Sequence, residues 1–250
     1  MPRFDKDMDQ HNIGGSNFQF SATKIAELGS TEYTLGVLVI DRSGSVSGYE
    51  QDIDEAVKAV VQGCRKDKHR VDSMMLMVIL FDHEVIEYHG FRPLQDCNEA
   101  DYDAVCQPRG ATALYDAVYN GVNACVKYGQ ELTDNDFAVN ASVFVVTDGE
   151  DNRSTVTPKM VAEAISHAKR SEALESLVPV LIGVGYGADD SGSLSQWLQK
   201  FKDDAGFQQY IFIKNATPAK IAKLGGFISA SISSQSRSLG SGGASKSLAF

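Results

Sequence analysis

No stretch of this chain stays apolar for long. The longest uninterrupted run, Met74 to Phe81, is eight residues, far below the roughly 20 that a membrane-spanning helix needs. Cysteine is also scarce. The four present, Cys64, Cys97, Cys106 and Cys125, form no CxxC pair and read as reduced thiols, not as a disulfide or zinc framework. Positive charge is thin: 23 Lys and Arg stand against 33 Asp and Glu, a net charge of −10. With no cluster of five or more basic residues, the phosphate-neutralising term of a nucleic-acid binder is missing. His11, His69, His83, His89 and His167 lack the spacing of metal-ligand pairs. No GxxxxGK[ST] occurs, and Gly183-Val184-Gly185-Tyr186-Gly187 lacks the GxGxxG spacing of a dinucleotide fingerprint. Met1 to Asn12 is polar, with Asp5, Asp7 and Asp9 where a secretory signal would need an apolar centre. A cytoplasmic protein with no membrane or nucleic-acid partner is the expectation.

What is present is an ordinary globular balance, 43% hydrophobic and 22% charged residues, which excludes disorder throughout. From about Thr34 onward, short apolar runs alternate with amphipathic helical patterns. The runs are Leu35–Ile40, Met74–Phe81, Val143–Val146, Leu177–Val184 and Tyr210–Ile213, short, continuous and rich in Val, Ile or Leu as strands buried on both faces should be. Ile53, Val57, Val60, Val61 and Cys64 make one helical stripe, with acids before it and Arg65, Lys66 and Lys68 after it to suit the helix dipole. Further stripes run over Leu114–Cys125, Val161–Ala168 and Leu194–Phe201, the last carrying Trp197 as a core residue. Thr157-Pro158 and Thr217-Pro218 each pair a cap with a proline fit for the first helical position. The fold class predicted is α/β, a doubly wound, Rossmann-like, mostly parallel sheet with helices on both faces.

Val85–Tyr88 follows Met74–Phe81 after only Asp82-His83-Glu84, predicting a hairpin and one antiparallel edge strand. His89 to Ala111 shows no period and reads as a long functional loop. Residues 231–250 contain eight Ser and three Gly and read as a flexible tail. Phe18 and Phe20 read as padding for a sheet edge.

The chemistry concentrates where strands end. The first run closes on Asp41-Arg42-Ser43-Gly44-Ser45, Thr112 precedes the second helix, and Thr147-Asp148-Gly149 follows another strand. In open parallel sheets such loops converge in the crevice beyond the carboxyl ends of the strands. Asp41, Ser43, Ser45, Thr112 and Asp148 form an all-oxygen set without imidazole or thiolate, suited to Mg2+ or Mn2+ and not to zinc. Each residue alone could be a mere cap or turn former; the five together are harder to explain that way.

The pattern Asp41-x-Ser43-x-Ser45, then Thr112, then Asp148-Gly149 resembles the metal-ion-dependent adhesion site (MIDAS) of von Willebrand factor A (VWA) domains. The likeness covers roughly residues 33–233, and the polar N-terminus adds a resemblance to intracellular bacterial VWA proteins of the tellurium-resistance type. It implies an N-terminal extension over 1–33, a VWA domain over 34–233 and a Ser/Gly-rich tail over 234–250. It further implies that Ser43, Ser45 and Thr112 touch the cation directly, with Asp41 and Asp148 acting largely through water. One octahedral position would remain for a partner protein's Asp or Glu at about 2.0–2.1 Å. The expected role is a metal-bridged binding module, not an enzyme. Two alternatives stand beside it. A haloacid-dehalogenase-type phosphatase also places Asp after its first strand, but needs a second carboxylate where Ser43 stands. An assembly component could dock its tail into a neighbour, with Phe250 as anchor.

Overall fold

Along Glu32–Asp41 the side chains alternate between two cores. Leu35, Val37 and Val39 enter one, whereas Leu38 and Ile40 enter the other, as the two-residue period of a strand requires. Nine of this strand's ten residues are buried, which is why it reads as a continuous apolar run. In the computed structural model, which describes residues 8–185, 192–239 and 250, this is the third of eight strands. The strands are β1 (Met8–Asn12), β2 (Gln19–Thr23), β3 (Glu32–Asp41), β4 (Met74–Phe81), β5 (Val85–Pro93), β6 (Ala138–Thr147), β7 (Ser176–Val184) and β8 (Gln209–Ile213). Five helices, α1 (Glu50–Arg65), α2 (Leu114–Thr133), α3 (Pro158–Arg170), α4 (Ser193–Ala205) and α5 (Pro218–Leu239), connect or follow them.

The eight strands form one sheet in the order β1-β2-β5-β4-β3-β6-β7-β8. The stretch β4-β3-β6-β7-β8 is parallel. Helices α2, α3 and α4 cover one face with Leu114, Val118, Val161, Ile165 and Leu198. Helices α1 and α5 cover the other with Ile53, Val57, Val61, Leu224 and Ile228. The doubly wound α/β class read from the sequence is therefore the fold observed. The proline starts also appear: Thr157 Oγ1 accepts from Met160 N with Pro158 in the first turn, and α5 opens on Pro218. Trp197 is half-buried, stacked on Tyr115.

Three expectations need correction. The antiparallel strand β5 is paired to β4 but is not the sheet's edge, because β2 and then β1 lie beyond it. These two strands come from the segment read as an extension, and Phe20 of β2 is buried against Phe91 of β5. The supposed long loop from His89 is strand as far as Pro93, then two short 3-10 turns that bury Leu94 and Tyr102. Finally, residues 231–239 of the supposed tail are the last turns of α5, with Ile232, Ser233, Gln235 and Ser236 buried. Residues 240–249 lie outside the described residues. Phe250 sits 5.6 Å from Phe227 of the chain's own α5. Among the described residues no helix is long and apolar enough to cross a membrane.

Candidate functional site

The sheet order makes its own crevice. From β3 the chain moves outward to β4 on one side, and later returns to lay β6 on the other. The carboxyl ends of β3 and β6 thus flank the point where the winding reverses, the place where such sheets collect ligands. Asp41 ends β3 and Asp148 follows β6 directly.

The side chains at this point are joined in a line. Asp41 is 2% exposed; its Oδ1 accepts from Ser43 N at 2.8 Å and its Oδ2 from Thr147 Oγ1 at 2.6 Å. Ser43 Oγ lies 3.0 Å from Ser45 Oγ, and Ser45 Oγ donates to Asp148 Oδ1 at 2.7 Å. Thr112 joins from the loop before α2. Its amide donates to Asn152 Oδ1 at 2.8 Å and its carbonyl accepts from Asn152 N at 3.0 Å. A Cβ on Gly149 would lie 3.6 Å from Thr112 Oγ1, so Thr112 stands beside the Asp148-Gly149 turn. The loops are tied to each other as well: Gly44 N donates to Gly110 O at 3.2 Å.

The structure thus brings together all five residues singled out in the sequence, three with hydroxyls and two with carboxylates. Burial, reinforced by the nearby Asp148 charge, pushes Asp41 up to about 7. Burial likewise raises Asp148. Two neighbouring carboxyls that resist ionisation are the condition a divalent cation relieves, by supplying the opposite charge that the protein leaves out. The donors are hard oxygens throughout, which fits Mg2+ or Mn2+. Among the described residues no group of three or more His, Cys, Asp or Glu gathers as a metal cage; this set instead relies on hydroxyls.

Several neighbours escaped the sequence reading. Thr147, visible only as the residue before Asp148, holds the second oxygen of Asp41. Asn152 fixes Thr112. Asp151 accepts from Tyr115 N at 3.0 Å and so caps the first turn of α2. Asp82 was seen only as part of a hairpin turn, yet it is fully buried behind both loops. The cysteines, all free, are buried away from any thiolate-stabilising site, and burial raises Cys106 to about 12.

No family model matches this chain, and no curated protein matches it by sequence. Solved structures do match in fold. The minor pilin PilB of Streptococcus sanguinis superposes with a TM-score of 0.55 at 11% identity, over 84% of this chain and 63% of the pilin. The pilus adhesin SpaC of Lactobacillus rhamnosus GG gives 0.55 at 12% identity, over 88% of this chain and 31% of the adhesin. Proximal thread matrix protein 1 from the mussel byssus gives 0.50 at 18% identity, over 80% and 46%. The chain thus spans less than two thirds of the length of each of these proteins, and at such identities the likeness is one of fold.

Proposed function

We propose that this chain is a VWA-type domain whose Asp41, Ser43, Ser45, Thr112 and Asp148 hold Mg2+, or Mn2+, and that the bound ion receives an Asp or Glu of a partner protein. The observation that carries this reading is the unbroken line Asp41–Ser43–Ser45–Asp148, with Thr112 beside it, at the sheet's reversal point. When bound, the ion supplies an electrophilic coordination position. The protein's own part is to present three neutral hydroxyls, one buried acid and one half-buried acid, so that positive charge remains for an incoming carboxylate. A chain of net charge −10 would otherwise repel such a partner.

A binding role is favoured over phosphoryl transfer by what stands near Asp41. The residue two positions on is Ser43, which cannot serve as acid and base near neutral pH. Docking through a tail is less favoured, since the described part of that segment is packed helix. The names of the fold neighbours, a pilin and a pilus adhesin, are in keeping with an adhesive role. A reducing, cytoplasmic setting is supported by four free cysteines.

The test is capture of partners from host lysate on immobilised protein, in Mg2+ and in EDTA, with Thr112→Ala alongside. A protein retained only by wild type in Mg2+ is the expected result. Retention indifferent to both changes would remove the metal from the mechanism.

A further inference from the structure

Behind the crevice lies a second arrangement, built on one carboxylate. Asp82 follows β4 directly and is 0% exposed. Its Oδ2 accepts from Arg109 Nε at 2.7 Å and lies 2.8 Å from Arg42 Nη2. Its Oδ1 accepts from Glu84 N at 2.9 Å and lies 2.9 Å from His83 Nδ1. Its carbonyl accepts from Ala113 N at 2.7 Å and its amide donates to Glu84 O at 3.0 Å. Every polar group of this residue is thus committed, and the commitments reach two separate loops. Arg42 stands between Asp41 and Ser43, and Arg109 and Ala113 bracket Gly110-Ala111-Thr112. The backbone completes the tie, since Arg109 N donates to Arg42 O at 3.0 Å. Gly110 is shaped for it: its φ is +68°, and a Cβ there would collide with the His83 imidazole.

We propose that Asp82 is a positioning residue for the cation site, holding the Ser43–Ser45 loop and the Thr112 loop in mutual register through Arg42 and Arg109 while touching no ligand of the ion. This rests on the metal-binding reading above. Two physical consequences give the residue its role. First, a buried carboxylate that accepts a hydrogen bond from Arg109 and lies in ion-pair contact with Arg42 ties both loops to one point, which a hydroxyl ligand set needs because its members bind weakly one by one. Second, Asp82 offsets one of the two positive charges that Arg42 and Arg109 bring beside the two loops, with Glu84 Oε2 3.5 Å from Arg109 Nη2 facing the other. Left unpaired, those two positive charges would oppose a divalent cation.

The experiment uses the full chain and Mn2+ as probe, followed by electron paramagnetic resonance, with wild type, Asp82→Asn, Arg109→Gln and Thr112→Ala. Asparagine keeps the size of Asp82 but sets an NH2 group or a weaker acceptor against the guanidinium groups. Asp82→Asn is expected to bind Mn2+ about 10–100-fold more weakly, the range found when groups that orient metal ligands are removed. The bound-ion spectrum should broaden at a temperature where circular dichroism shows the variant fully folded. Arg109 is half exposed, so Arg109→Gln keeps the test open if Asp82→Asn fails to fold, and it should weaken binding in the same direction. An unchanged affinity and spectrum in a folded Asp82→Asn, or in Arg109→Gln should the first not fold, would overturn the positioning role alone. Failure of wild type to bind Mn2+ would overturn both this role and the metal site it serves.

Discussion

A carboxyl buried beside another carboxylate holds its proton longer than one in water, and Asp41 shows the consequence. It titrates near 7 in the folded chain, against about 3.9 when unfolded. Between those values the folded state binds a proton that the unfolded state has lost, so metal-free stability falls as pH rises through the window. Asn cannot ionise and is free of this effect. In EDTA, the stability of Asp41→Asn relative to wild type should therefore improve by up to about 1.4 kcal/mol per pH unit between about pH 4 and about pH 7. Urea unfolding across that range measures it, and a difference that does not vary with pH would refute the assignment. Saturating Mg2+ should erase most of the difference above pH 7 by stabilising the ionised wild-type site. At this scale the sequence disclosed the residues whose chemical type is distinctive in its place, the acids and hydroxyls that end strands. It did not disclose Thr147 or Asp82, because a threonine in a strand and an aspartate in a turn are both commonplace; only their partners, Asp41 in one case and Arg42 with Arg109 in the other, give them meaning.

Elements were legible where burial imposes a period. β3, β4 and β7 are buried along almost their whole length, and α1 carries a single apolar stripe; each announced itself. The elements that were missed are those whose sequences show no sustained apolar period. β1 reads Met-Asp-Gln-His-Asn, and it joins the sheet with His11 stacked on Phe20. The end of α5 is rich in serine, normally a poor interior helix residue. Two of its hydroxyls are satisfied within the helix, Ser231 by Phe227 O at 2.9 Å and Ser238 by Gln235 O at 2.8 Å. Gln235 meets the sheet: its carbonyl accepts from Asn140 Nδ2 at 2.9 Å and its Oε1 accepts from Ser142 Oγ. Composition suggested a tail, whereas hydrogen bonding made a packed helix. Truncation after Ser233 should consequently destabilise the domain, since it strands two buried donors of β6, each at a cost of about 1–3 kcal/mol, and removes the buried Leu239. A loss of at least about 2 kcal/mol in chemical denaturation is the expected outcome on that basis. An unchanged midpoint would mean that these last turns contribute nothing to the fold.

For the molecule as a whole, the local and the global charge oppose each other. The chain carries −10, so at long range it repels an acidic partner. Close to the crevice, the bound cation reverses the sign of the field over a few ångströms. Salt acts unequally on these two terms. Raising ionic strength from about 0.01 M to about 0.15 M shortens the screening length from about 30 Å to about 8 Å, which removes most of the long-range repulsion and leaves coordination at the ion in place. The association rate of wild type with its captured partner in Mg2+ should therefore rise over that range, contrary to the usual fall for complexes steered by opposite charges. The dissociation rate should change less, because it is set by the metal–carboxylate bond and the contacts around it. Surface-based kinetic measurements at several salt concentrations resolve both rates. An association rate that falls steadily with salt would indicate that the partner approaches through a basic surface, and would turn the search for its docking residue away from the metal and towards the acids that follow Ser45 and Asp148 in the chain, Glu50, Asp52 and Glu150.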